Sequence, residues 1–407
     1  MRHLTYNRLG IFIVLSLFFC LCSYSGDTVR PGLEGIEHSH PCAEELDFLN
    51  AVGQPLMSGL DVTEAMEAWF DGRLLETQKK NEAAKAKWIE ALSKLKDLKS
   101  LPVEPFAEAP QASFSKVADL KMRKHPDVAV QVVSWKCGEL EEYGVLMRPR
   151  QLKAEARYPL ILYCHGAAFG VPIGFMDFLA DLVKQGYVVI APAMRGEPLF
   201  QSNFTVHGKI LKCGGEIENL DGEVDDCMSM LSAAWKLPYV RPDEFAMLGH
   251  SFGAGVGLLT AARAGSKAKA VVSYDAWLVN PQRYYWDRMR RAPRNWDSWE
   301  DYCNQPVRPQ LLGLVRRSVI LHADKLQCPL LLFMGGAYNG SVFHQSHEDF
   351  TSRLKQLSKT FEYVLVPNGT HNFVLYLGSP PARYALKRQN AFLQEHYPPL
   401  SSLNDKE

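Results

Sequence analysis

Phe245-Ala246-Met247-Leu248-Gly249-His250-Ser251-Phe252-Gly253-Ala254-Gly255-Val256-Gly257 is the stretch that decides the fold. Four apolar residues run into a glycine-flanked serine, and a segment of small residues leaves it. A serine on so sharp a strand-to-helix turn is lifted off the sheet, and the glycines let strand and helix approach closely. The bare Gly-x-Ser-x-Gly spacing arises by chance in about one chain in ten at average residue usage. The strand before it and the helix after it give it meaning, so Ser251 is the candidate nucleophile.

The surrounding punctuation agrees. Apolar runs at Leu160–Cys164, Tyr187–Ala191, Phe245–Leu248, Ala270–Tyr274, Leu330–Met334 and Phe361–Val366 read as strands, preceded by β-like runs at Val128–Trp135 and Glu142–Met147. Helical segments separate most of them, at Phe175–Gln185, Asp221–Lys236, Gly253–Ala264, His347–Leu357 and Tyr384–Glu395. Short continuous apolar strands alternating with helices predict an α/β fold with a mostly parallel sheet, covered on both faces.

A nucleophilic serine needs donors for the oxyanion formed on attack. The backbone N–H of Phe252 is the first, as the residue after the nucleophile. The strand Leu160–Cys164 ends in His165-Gly166-Ala167-Ala168-Phe169-Gly170, whose small residues leave amides accessible, and Ala167 is the second. His165, between a strand and a glycine, suits a loop-organising role. The general base must come late in the chain. Pro367-Asn368-Gly369-Thr370-His371-Asn372-Phe373 follows the last strand and supplies His371.

From about Val145 to Tyr397 the chain resembles the prolyl-oligopeptidase-like and dienelactone-hydrolase-like branch of the α/β hydrolases. The stretches that carry the resemblance are Tyr158–Gly166, Met194-Arg195-Gly196-Glu197, Gly222-Glu223-Val224-Asp225-Asp226, Met247–Ser251 and Ala323-Asp324-Lys325-Leu326. It implies an α/β-hydrolase fold and a serine hydrolase. One departure matters. In that branch the triad acid follows the strand matching Leu330–Met334, but Met334-Gly335-Gly336-Ala337-Tyr338-Asn339-Gly340-Ser341-Val342 holds no carboxylate. Glu348 and Asp349, a turn further on, read as helix N-terminal charges.

Asp275, in Asp275-Ala276-Trp277 after the preceding strand, is the replacement. This setting resembles secreted platelet-activating-factor acetylhydrolases, whose triad acid lies after that strand and pairs with a histidine in a turn like Thr370-His371-Asn372-Phe373. The order Ser251, Asp275, His371 suits the fold. The alternative is that Asp275 only caps the segment that follows it.

The flanks read as follows. Arg2, His3 and Arg8 precede an apolar run from Leu9 to Cys22, so residues 1–25 read as a signal peptide and imply a secreted or periplasmic product. Residues 26–60 look loop-like, and Asp61 opens one long helical stretch to about Leu98, with Glu64 at capping-box spacing. Residues 26–115 thus form an N-terminal extension and 116–407 the catalytic domain. Within that domain an insertion at about 277–320 carries many rings and guanidinium groups, among them Tyr285, Trp286, Arg290, Trp296 and Arg294, and reads as a lid.

Composition excludes some functions. Of 407 residues 47% are hydrophobic, and 45 Lys+Arg balance 45 Asp+Glu. Such a chain has no basic field to recruit nucleic acid. Its seven cysteines beyond the signal are scattered, with no Cys-x-x-Cys pair. The expectation is hydrolysis of a carboxylic ester through an acyl-enzyme, with no metal or cofactor. The substrate is a small-molecule ester, a lipid or a short peptide, and no membrane span remains after signal cleavage. A prolyl-oligopeptidase-like peptidase and a non-catalytic binding protein on a hydrolase fold are the alternatives.

Overall fold

The computed structural model describes residues 40–167, 170–201, 204–290, 306–338 and 340–400. The signal segment 1–25, Asn339, and Trp296 and Arg294 of the insertion lie outside them. The chain divides into two compact units, Glu104–Pro281 with Arg317–Glu407, and Met1–Val103 with Gln282–Arg316.

The larger unit holds one nine-stranded sheet: β1 (Ser115–Leu120), β2 (Val128–Cys137), β3 (Leu140–Pro149), β4 (Leu160–Cys164), β5 (Val188–Pro192), β6 (Phe245–His250), β7 (Ala268–Tyr274), β8 (Leu330–Gly335) and β9 (Phe361–Val366). Their spatial order is β1-β2-β3-β5-β4-β6-β7-β8-β9. The first three strands are antiparallel and join β5 through β3, while β5, β4, β6, β7, β8 and β9 run parallel. β4, β5, β6 and β8 are buried at every position. Continuous apolar runs are what a parallel strand covered on both faces requires.

Successive side chains of a strand point to opposite faces. Ile161, Val189, Ala246, Leu248, Val272 and Phe333 join a core with Leu179 and Val183 of α4 (Met176–Gln185) and Phe392 and Leu393 of α10 (Pro380–His396). The other face meets α5 (Gly222–Trp235) and α6 (Phe252–Ala264). There Met247 lies directly under α6, and Trp135 Nε1 donates to Ser229 Oγ of α5 at 2.8 Å. Each apolar side chain so buried contributes about 1.5–3 kcal/mol relative to exposure. This is the α/β-hydrolase fold that the sequence predicts.

Three local expectations change. β1 was not anticipated: it is an edge strand with Ala118 its one buried residue. α9 (Val342–Gln356) starts before His347, because Ser341 caps it by accepting from the His344 N–H at 3.2 Å. α10 starts at Pro380 rather than Tyr384, since proline tolerates the first turn and Ser379 accepts from Ala382 N–H. Cys42, Cys137, Cys164, Cys213, Cys227 and Cys328 are free thiols.

In the smaller unit, α1 (Ala43–Met57) replaces part of the expected N-terminal loop. Phe48, Leu49, Val52 and Leu56 form the buried stripe that holds it. The long helix expected from Asp61 is two, α2 (Thr63–Thr77) and α3 (Asn81–Ser93), broken where Lys79 adopts φ +58°. The N-cap is Val62 rather than Asp61, which stands one residue before it and accepts from Thr63 N–H at 3.2 Å. α7 (Pro281–Arg290) and α8 (Val307–Arg316) belong with these helices. Trp286 Nε1 donates to Leu49 O at 2.6 Å, Tyr285 OH to Gln310 Oε1 at 2.9 Å, and Arg308 pairs with Asp61. Among the described residues no helix is long and apolar enough to cross a membrane.

Candidate active site

Ser251 stands between β6 and α6 with φ 53° and ψ −121°, a strained conformation for a residue with a side chain. Its peptide is clamped from both sides: Ser251 N–H donates to Tyr274 O and Trp277 N–H donates to Ser251 O, each at 2.9 Å. The following Gly253 admits no side chain, since a Cβ there would stand 2.2 Å from His165 O. The start of α6 therefore presses directly on the end of β4.

The turn after β9 delivers His371. Its Nε2 lies 2.7 Å from Ser251 Oγ, so a neutral ring accepts the serine hydroxyl proton there. The histidine is fixed by its surroundings. His250 Nε2–H donates to His371 O at 2.8 Å, and the Phe343 ring meets the His371 ring edge-on at 5.2 Å. Burial, with His250 and His347 adding to it, lowers the His371 pKa to about 3. Burial likewise lowers His250 to about 4. Both rings are thus held neutral, the state in which His371 can take a proton.

Asp275 follows β7 with φ +47°, the second strained residue beside Ser251. Its N–H donates to Phe333 O at 2.9 Å, and its Oδ1 accepts from Gly335 N–H at 2.6 Å. Oδ2 is buried and makes no hydrogen bond among the described residues, to His371 or to any other group. Burial pushes this carboxyl well above the usual carboxylate range. The structure thus brings Ser251 and His371 into contact and sets Asp275 behind the serine's own peptide. The rival carboxylates are engaged elsewhere: Asp349 accepts from Asn280 Nδ2 at 2.9 Å, and Glu348 stands 3.7 Å from His344.

Phe252 is the first residue of α6, where helical N–H groups have no partner within the helix. A methyl group at Gly166 would lie 3.6 Å from Ser251 Cβ, so the loop carrying Ala167 runs past the serine. His165 lies in that loop with its ring nitrogens 2.8 Å from Gly166 O and 3.0 Å from Ala193 O, so its ring N–H donates to one of these two carbonyls.

Sequence reasoning gave no role to Arg195 and Asp226, although both lie in quoted motifs. Arg195 Nη2 and Nε donate to Asp226 Oδ1 at 2.8 and 3.2 Å, and Asp226 Oδ2 accepts Arg195 N–H at 2.8 Å. The pair ties the turn after β5 to α5. Among the described residues no group of three or more His, Cys, Asp or Glu is arranged to hold a metal ion.

The model of the prolyl oligopeptidase family matches residues 175–398, more than half of the chain and all of Ser251, Asp275 and His371. The chain belongs to the prolyl oligopeptidase family. An uncharacterized peptidase of Bacillus subtilis (strain 168) is 28% identical over 262 residues, covering 61% of this chain and 35% of its own length. A Synechocystis sp. protein provisionally named carboxymethylenebutenolidase is 28% identical over 149 residues, covering 35% of this chain and 58% of its own. This family member therefore spans less than two thirds of each of these relatives. Among solved structures, acetyl xylan esterase 1 from Thermoanaerobacterium sp. JW/SL YS485 aligns with TM-score 0.48 at 16% identity, over 71% of this chain and 88% of that one. Dipeptidyl peptidase 4 from Porphyromonas gingivalis aligns with TM-score 0.46 at 19% identity, over 71% and 36%.

Proposed function

We propose that this protein is an exported esterase that works through a Ser251 acyl-enzyme. The contact of 2.7 Å between Ser251 Oγ and His371 Nε2 carries the reading. Ser251 Oγ attacks the ester carbonyl while His371 Nε2 takes its proton. The N–H groups of Phe252 and Ala167 hold the oxyanion, and the imidazolium returns the proton to the departing alkoxide. Water then attacks the acyl-enzyme by the same steps in reverse, with His371 as base. A positioned base of this kind contributes about 10²–10⁴-fold. Asp275 is the acid of this reading. Burial opposes its charge in the resting site, so it is the imidazolium formed on His371 that would draw the carboxyl to its ionised form, and its strained backbone beside Ser251 supports the role.

Membership of the prolyl oligopeptidase family and the Bacillus peptidase favour a second reading, in which the acyl group is that of a short peptide. One experiment separates the readings. A fluorophosphonate probe should label the wild type and not Ser251→Ala, and a separate sample of wild type that has not met the probe should be assayed with p-nitrophenyl esters and with aminoacyl p-nitroanilides. Turnover of the anilides alone makes it a peptidase, and an unlabelled wild type leaves a binding protein. The export reading expects a mature chain that starts near Gly26, which N-terminal sequencing of secreted material checks.

A further inference from the structure

The oxyanion loop is anchored at both ends, and one buried side chain reaches both anchors. At the near end His165 is fully buried, with a ring N–H that donates to the carbonyl of Gly166 or of Ala193, 2.8 and 3.0 Å from its two ring nitrogens. At the far end Gly170 N–H donates to Glu197 Oε2 at 2.8 Å. That same oxygen stands 3.8 Å from His165 Nδ1. Glu197 is itself 1% exposed, and its backbone is fixed, with its carbonyl accepting from Cys213 N–H at 2.9 Å. The far anchor has little room to slip, since a Cβ on Gly170 would stand 1.9 Å from Pro198 O.

We propose that Glu197 is a positioning residue that holds the loop carrying Ala167 in place, a role that rests on the serine hydrolase reading above. A buried carboxylate needs donors around it, and a hydrogen bond to a charged acceptor is stronger than a neutral one. Any excursion of the loop that moves Gly170 takes away a donor from Glu197, so the charge resists the motion. The loop's amide acts on the oxyanion, which exists in the transition state and not in the ground state. Loosening the loop therefore lowers kcat and leaves KM in place.

The test compares Glu197→Ala and Glu197→Gln with the wild type in the full chain, using the chromogenic substrate that the wild type turns over. Loss of one oxyanion donor costs about 10²–10³-fold. Glu197→Ala, which loosens the donor rather than deleting it, should lose about 10- to 100-fold in kcat and in the rate of fluorophosphonate labelling. Its KM should stay within about twofold. Glu197→Gln keeps an oxygen for Gly170 without the charge, and should recover to within about tenfold of wild type while staying below it. A merely structural role would not give this split between kcat and KM, nor the graded rescue. Folded Glu197→Ala with wild-type kcat, or a rise in KM alone, overturns the proposal. Should Glu197→Ala fail to fold, unchanged kcat and labelling in Glu197→Gln overturn it instead. A wild type that takes no label sinks the serine hydrolase reading and this inference together, whereas a labelled wild type with unaffected variants sinks this inference alone.

Discussion

Gly335 donates its backbone N–H to Asp275 Oδ1 at 2.6 Å. The same residue faces the histidine turn, where a Cβ would stand 2.7 Å from Gly369 O and 2.9 Å from Thr370 O. One peptide thus holds the candidate acid and limits where His371 can sit. Gly335→Ala should push the turn away from β8 and lengthen the contact of His371 with Ser251. Misplacement by about 1 Å costs on the order of 10²-fold in rate. Steady-state kinetics with a labelling assay should show that loss, and wild-type kcat would remove Gly335 from the account.

Asp275→Asn should separate activity from stability. The amide oxygen can still accept from Gly335, so the fold should survive. If Asp275 steadies the imidazolium, turnover should fall by roughly 10⁴-fold. Stability should move the other way. Burial raises the Asp275 carboxyl well above its ordinary value. Its contribution is therefore present below the unfolded value, about 3.9, and is lost as pH rises above it. Asparagine escapes that loss, so Tm at neutral pH should rise while kcat collapses. Activity within tenfold of wild type would place the acid elsewhere.

These two residues show what a sequence reveals of such a site. Ser251 and His371 were legible because each sits in a short local pattern next to a strand. Asp275 was reached through a family resemblance and the absence of a carboxylate after β8, and its Oδ2 does not make the hydrogen bond to His371 that the role calls for. Its bond to Gly335, 60 residues away, has no local signature, and neither does the bond of Glu197 to Gly170, 27 residues away. Helix ends followed the same logic. β1 escaped notice because one of its residues is buried, and the break at Lys79 falls in a charged run without glycine or proline.

Glu142 shapes the stability curve between about pH 4.5 and about pH 8. It lies opposite Trp135 in the β2–β3 pair and is fully buried. Burial, reinforced by the nearby Asp226, pushes its carboxyl up to about 8. Its favourable contribution is complete below about pH 4.5 and is lost as pH rises to about 8, at about 1.4 kcal/mol per unit. Glu142→Gln should match the wild type in Tm near pH 4 and become progressively more stable toward pH 8. Parallel curves across that range would contradict the shift.

His347 governs part of the acid side. It lies on α9, fully buried, with Nδ1–H donating to Phe343 O at 3.0 Å. Burial, with His344 adding to it and the Phe343 carbonyl opposing, lowers its pKa to about 4. The unfolded chain titrates near 6.5. Above that value both states are neutral and stability is complete. As pH falls from about 6.5 toward about 4, the unfolded state takes up a proton that the folded state refuses, and stability is lost at about 1.4 kcal/mol per unit. His250 and His371, lowered to about 4 and about 3, act in the same direction, so the acid limb should carry up to three protons. His347→Gln keeps an N–H for the Phe343 carbonyl and cannot charge. Urea unfolding between about pH 5 and pH 6.5 should then show a slope shallower by one proton, about 1.4 kcal/mol per unit. An unchanged slope would mean that His347 is protonated in the folded protein and would overturn the lowered pKa.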